Sequence, residues 1–329
     1  MTAPWGGLLR DTRLARSAGN GPAQVIVIIV IFLAGRGTVY GFSDLSSVRA
    51  MSVLAAFLGI AAMAQTLVVL IGGIDLSVPA VIGAGNVITA TLTGDGLPSA
   101  AVAAIVLAAG LGVGLVNGYV TSRWRVPPLV VTLATGSVVS GAILLWTNAA
   151  LTGTAPGWLN SFTSAAAKTG PVPIAPVVVL WLALAAAGEY LLRRTPAGRR
   201  LYIRGVNPEA ARLMLISDQR VTTAAFGLAG LLSALAGLLL TGFTGSGLFD
   251  IGSPYLFSAI AAVVVGGNSL LGGRGNIIRC VLGAIALTEL TTLLVGFSLS
   301  SSAQEAVLGI VIVIVIAGYG REQPLSHRI

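Results

Sequence analysis

The sequence predicts an all-α, polytopic integral membrane protein of about ten transmembrane helices, and three observations predict it. The first is composition: 55% of residues are hydrophobic and 9% charged, against roughly 45–50% and about 25% in soluble domains. A soluble fold has too little interior to hide that much apolar surface. The second is length. The apolar residues come in stretches near the roughly 20 that cross hydrocarbon as a helix, separated by short polar loops. The third is the distribution of arginine between alternate loops. Helix is the expected state because lipid offers unpaired backbone groups no water, and a helix pairs them internally.

The first span is read over about 22–40. Its apolar core from Val25 to Ala34 is followed by Arg36 and aromatics rather than a small-residue cleavage site, so a retained helix is expected and not a signal peptide. The second, 50–71, ends at Gly72 and Gly73, and the third, 77–93, opens after Asp75, Leu76 and Ser77. The fourth, 98–121, carries Gly110, Gly114 and Gly118 at every fourth position, a small-residue stripe that reads as helix packing. Pro127 and Pro128 open the fifth, 128–147. An outer loop over 148–173 holds Trp158, Lys168 and three prolines, Pro156, Pro171 and Pro173, and leads to the sixth span, 174–192.

A second long segment, 193–219, precedes the seventh span at 220–242. Within it Asn207 is a good N-cap, Pro208 suits the first helical position, and Glu209 complements a helix N-terminus. A surface helix of about nine residues is predicted there. The eighth span, 256–271, contains Gly266 and Gly267 and is short enough to be broken or re-entrant; the ninth and tenth are 277–297 and 303–319. Glu289, near the middle of the ninth, is an ionisable group where charge is costly: it reads either as functional or as a protonated or arginine-paired structural glutamate. Asp75 likewise reads as a path residue or as a cap for the third span.

Threading these spans from an inner N-terminus puts Arg10, Arg13, Arg16, Arg123, Arg125, Arg193, Arg194, Arg199, Arg200, Arg204, Arg212, Arg220, Arg274, Arg279, Arg321 and Arg328 on the cytoplasmic side. Only Arg36, Arg49 and Lys168 of the 19 basic residues fall outside. The formal charge of +8 therefore has a topological origin, and no basic soluble domain exists for nucleic acid to bind. Cys280 is the only cysteine and His327 the only histidine, which excludes disulfide frameworks and Cys/His metal sites by count. An internal echo links Gly72, Gly73, Ile74, Asp75, Leu76 and Ser77 to Gly266, Gly267, Asn268, Ser269, Leu270 and Leu271. Interrupted helices at matching places in two halves point to a transport pathway.

Four ordered segments carry a resemblance: QTLVVLIGGIDLSV from Gln65, NGYVTSRWRVPPLVVTL from Asn117, GRRLYIRGVNPEAA from Gly198 and AIAAVVVGGNSLLGGRG from Ala259. The chain, over about Leu54 to Ala317, resembles the permease subunits of bacterial ABC sugar importers, the family of ribose, xylose, arabinose, galactofuranose and autoinducer-2 permeases. It departs from that pattern at Pro79, where glycine is common, Arg204, where a small residue is usual, Leu215, often glycine, and Ser258, often aspartate.

The resemblance implies a single transmembrane permease domain in a bacterial inner membrane, with cytoplasmic termini. It implies a second permease chain, identical or not, a cytosolic ATP-binding subunit dimer, and a soluble solute-binding protein outside, docked on outer loops including Asp44, Asp95, Lys168 and Asp250. Gly205, Asn207, Pro208, Glu209, Ala210, Ala211 and Arg212 would couple to the ATPase. The implied path residues are Gln65, Asp75, Asn86, Asn117, Asn268, Ser269, Thr288 and Glu289, with Gly72, Gly73, Gly266 and Gly267 as helix breaks; such neutral hydrogen-bonding groups suit a weakly held sugar. No cofactor is expected. The sole lysine, Lys168, follows Ala167 and so cannot belong to a P-loop. The alternatives left open are a nucleoside, a branched-chain amino acid or autoinducer-2 as cargo, or an ion-coupled secondary transporter using Glu289 and Asp75.

Overall fold

A computed structural model describes residues 21–150 and 153–320. Thirteen helices lie among them: α1 (Gly21–Thr38), α2 (Leu45–Leu70), α3 (Val78–Gly94), α4 (Ser99–Trp124), α5 (Pro128–Trp146), α6 (Gly157–Thr163), α7 (Pro176–Arg194), α8 (Pro196–Val206), α9 (Pro208–Leu213), α10 (Asp218–Thr244), α11 (Tyr255–Val265), α12 (Ile277–Gly296) and α13 (Ser301–Gly320). Among the described residues the only β pairings are two isolated bridges. Six helices, α2, α4, α5, α7, α10 and α12, are long and apolar enough to cross a membrane; α1, α3, α11 and α13 contain shorter apolar stretches. The expectations for the termini, with Arg10, Arg13, Arg16, Arg321, His327 and Arg328, fall outside the described residues.

Two helices form the centre. α2 is apolar all round and buried continuously from Ala55 to Leu70, as expected for a helix with no face reserved for lipid or water. α10 packs against α2, α3 and α4. Its contact with α4 uses the predicted glycine stripe: a Cβ at Gly114 would sit 2.1 Å from the Phe226 carbonyl oxygen, and one at Gly110 2.5 Å from that of Gly230. No residue but glycine lets the two backbones approach so closely.

The packing is two-fold. α10 meets α4 as α2 meets α12, α10 meets α3 as α2 meets α11, and the pairs α3–α4, α3–α5 and α4–α5 are matched by α11–α12, α11–α13 and α12–α13. Helices α2 to α5 thus correspond to α10 to α13, while α1 and α7 both pack on α12 and break the pattern. This correspondence corrects the sequence echo. The break after α2 is equivalent to the segment between α10 and α11, whereas the break at Gly266 follows α11. The two double glycines are not related by the two-fold; the first meets the segment that follows the second at one end of the bundle, where Gly272 lies against Gly72.

Three further boundaries differ from expectation. α11 stops at Val265 because Gly267 takes a left-handed φ of 80°. The segment 193–219 holds two helices rather than one. Thr195 caps α8 by accepting from the Gly198 amide at 3.3 Å, with Pro196 in its first turn. α9 is six residues long rather than about nine, because Leu215 turns left-handed at φ 58°. Finally, the segment that carries Asp250, between α10 and α11, folds back along the bundle. Residues 246–252 retrace α3: Leu248 donates to the Asn86 Oδ1 at 2.6 Å, Gly83 faces the Phe249 carbonyl, and Gly252 packs on that of Pro79. From Ala90, beside Gly247, to Pro79 is about 16 Å along the helix. Non-helical backbone at such depth is tolerated where protein or a water-filled cavity covers it.

Candidate functional site

The first break is held by a buried polar cluster. Asp75 Oδ1 accepts from the Ser77 amide at 2.8 Å and the Ser77 hydroxyl at 2.6 Å. Asn117 on α4 donates to the same hydroxyl oxygen at 2.9 Å, and Thr132 on α5 accepts from the Leu76 amide at 2.9 Å. In the amide orientation that satisfies both groups, Gln65 exchanges two bonds with the Asp75 backbone, donating to its carbonyl at 3.1 Å and accepting from its amide at 3.2 Å. The structure therefore brings Gln65, Asp75 and Asn117 together, and Asp75 and Gln65 act on backbone. Such groups are satisfied because a bare amide in an apolar interior costs several kcal/mol.

The second break has its own ties. Asn268 Oδ1 accepts from the Asn276 amide at 2.8 Å, Ser269 donates its amide to the Arg274 carbonyl at 3.0 Å, and Asn276 caps α12 by accepting from Arg279 at 2.8 Å. Glu189, reaching across from α7, accepts from the Ile277 amide at 2.9 Å and pairs with Arg193. A carboxylate suits the positive end of α12. Gln24 of α1 donates to the Gly266 carbonyl.

α8 joins the two breaks. The Gly273 amide of the second donates to the Leu70 carbonyl of the first at 2.8 Å, and Gly205 of α8 lies on that bond, its would-be Cβ 2.0 Å from the Leu70 oxygen and 2.7 Å from the Gly273 nitrogen. Beside it Arg204 donates to the Ile71 carbonyl and, at 2.6 Å, to Asp218 at the start of α10. The Tyr202 hydroxyl donates to the Gly275 carbonyl at 2.8 Å. Burial, and after it the charge of Glu189, push that hydroxyl above its ordinary pKa, which keeps it a donor. Gly205 thus faces the bundle, whereas Asn207, Pro208, Glu209 and Arg212 of the expected coupling segment are exposed.

α9 projects outward. Asn207 caps it as expected, accepting from the Glu209 and Ala210 amides at 3.0 and 3.1 Å. Ala211 is buried, Glu209 and Arg212 are exposed, and Leu213, Met214 and Leu215 are 86%, 62% and 95% exposed. Three neighbouring apolar side chains in the open mark an interaction surface. The left-handed Leu215 explains why glycine suits this place: a side chain there carries strain of about 1–2 kcal/mol. Leu215→Gly is expected to raise stability by about 0.5–1 kcal/mol after the entropy of the freer unfolded chain is counted, read as a higher thermal midpoint in detergent; an unchanged or lower midpoint would contradict it.

The other sequence-derived candidates lie apart. Asn86 pins the re-entrant segment, donating to the Thr241 hydroxyl at 3.0 Å besides accepting from Leu248. Thr288 and Glu289 are buried on α12, and Glu289 Oε2 has no hydrogen-bond partner among the described residues. Sequence reasoning missed Glu189, Tyr202, Asn276 and Thr132. Their partners are 88, 73, 8 and 56 residues away, and no local pattern announces such a pairing.

The family described as branched-chain amino acid transport system / permease component matches residues 47–316. The ribose import permease protein RbsC of Bacillus subtilis is 36% identical over 266 residues, covering 78% of this chain and 80% of the relative. The ribose import permease protein RbsC of Haemophilus influenzae is 34% identical over 260 residues, with 78% and 80% covered. The autoinducer 2 import system permease protein LsrC of Shigella flexneri is 34% identical over 264 residues, with 79% and 75% covered. No solved structure matches the chain significantly. With a family match over most of its length and relatives of this identity and coverage, the chain is a multi-pass membrane protein that belongs to the family of branched-chain amino acid transport system permease components.

Proposed function

We propose that this chain is the transmembrane permease subunit of an ATP-binding cassette importer whose cargo is a monosaccharide or a related furanose. The curated relatives, named for ribose and autoinducer 2 import, support the cargo class. On this reading the arginine-rich end faces the cytoplasm and both termini lie there. Two such chains pair around a path, a cytosolic ATPase dimer supplies the energy, and a soluble receptor delivers the sugar.

The observation that carries the proposal is the arrangement of α8 and α9. α9 offers an exposed, capped surface of Glu209, Arg212 and three apolar side chains, while α8 behind it is bolted to both helix breaks through Tyr202, Arg204 and Gly205. A push on α9 moves α8, and α8 holds the ends of α2 and α11 together. This is a rigid-body linkage between two discrete packings. The engagement of Asp75 with Ser77 disfavours ion coupling through that carboxylate. The test is the double reversal Glu209→Lys/Arg212→Glu. We expect a tenfold or greater loss of ATPase co-purification and of transport, with membrane insertion unchanged; full association and transport would refute it.

A further inference from the structure

Asp250 stands on non-helical backbone about 16 Å below the end of α3, and it is exposed on this chain. Its neighbours on the segment fix that depth, because Phe249 lies against Gly83 and Gly252 against Pro79. An ionisable side chain at membrane depth faces either water or a polar protein group, since facing lipid costs several kcal/mol. The Ser253 hydroxyl donates to the Asp250 carboxylate, which leaves that group most of its acceptor capacity. One turn further, at the start of α11, Phe257 is 57% exposed. A carboxylate that accepts paired hydroxyls, with an exposed aromatic ring one turn further along the chain, supplies the acceptor and stacking groups that a polyhydroxylated ring needs. The segment itself is fixed: Asn86 holds it at Ser246 and Leu248, and Thr154 bridges to Ser246.

We propose that Asp250, Ser253 and Phe257 form a sugar-contacting station on the translocation path, with the re-entrant segment 246–254 lining water rather than lipid. This inference rests on the transport reading above and adds to it the residues that touch cargo. None of them belongs to the eight path residues expected from the family resemblance.

The test uses the sole native thiol to advantage. Cys280 is fully buried, so in an Asp250→Cys variant a membrane-impermeant methanethiosulfonate reports on residue 250 alone; Cys280→Ser confirms the background. The permease complex is reconstituted in liposomes and labelled with and without 10 mM d-ribose, roughly the concentration a weak path site requires. Labelling that ribose slows at least threefold supports the station. Labelling indifferent to ribose shows a water-filled path without sugar contact and overturns it. No labelling, or a disulfide to a second copy, places the residue against lipid or protein and overturns it as well. A companion variant, Asp250→Asn, is expected to raise the KM for sugar transport about tenfold while ATP hydrolysis and ATPase co-purification stay unchanged. A fall in kcat with unaltered KM would indicate a structural role instead. Absence of ribose transport by the unmodified complex overturns the cargo reading on which the station rests, and is told apart from failure of the station itself because it is read before any thiol is introduced.

Discussion

A single methyl group at residue 205 is expected to lower transport at least tenfold. In an ordinary helix Gly→Ala gains about 1 kcal/mol, so the sign of this prediction depends wholly on what surrounds α8. The new Cβ would sit 2.0 Å from the Leu70 carbonyl oxygen and 2.7 Å from the Gly273 amide nitrogen. Both are backbone atoms that already bond each other at 2.8 Å, and neither can swing aside as a side chain would. Overpacking of this kind costs about 1–3 kcal/mol, and loss of the Gly273–Leu70 bond adds about 1. The separation falls where the two breaks meet. We therefore expect Gly205→Ala to leave the protein in the membrane, to weaken the junction of α2 with the 266–276 segment, and to lower ATP-driven uptake at least tenfold. Measured transport at wild-type rate, with normal thermal stability in detergent, would show that α8 is not held as described.

Asp75→Leu should be comparably severe, for a different reason. The carboxylate accepts from both the amide and the hydroxyl of Ser77, and that hydroxyl is in turn the acceptor for Asn117. Leucine removes the acceptor and strands two buried donors, at about 1–3 kcal/mol each. The expected result is poor folding and little protein in the membrane. Asp75→Asn keeps a carbonyl oxygen where Oδ1 stands, so we expect it to retain most stability and most transport, with unaltered KM. If instead Asp75→Asn folded normally but raised KM or abolished uptake, Asp75 would be a path residue and not a cap. The comparison decides between the two readings that the sequence alone left open.

The contrast between Asn207 and Asn86 shows how far the sequence reaches. Asn207 caps α9 through amides two and three residues ahead, a contact written entirely in local order, and it was readable as such. Asn86 holds Leu248, 162 residues away, and nothing within a few residues of either position reveals the pair. The same division separates the glycines. Gly110, Gly114 and Gly118 repeat at helical spacing and so disclose a packing face. Gly205, with no glycine three or four residues away in its arginine-rich segment, was grouped with the outward coupling residues, although its role is to let α8 touch the helix breaks. The double glycines were legible as ends of helices, but the contact of Gly72 with Gly272 was not, since the two breaks occupy places that the two-fold does not relate.

Sequence by itself determined that the chain is helical and spans a membrane, because hydropathy and backbone pairing in lipid are local demands that each stretch must meet alone. Its motifs also determined the family. Only the tertiary structure decided that α8 clamps two breaks, that Gln65 serves the backbone at Asp75, and that residues 246–254 descend beside α3. Those facts depend on which distant buried donors and acceptors find each other, and in an apolar interior a bare polar group is costly enough that most find a partner the neighbouring sequence does not supply.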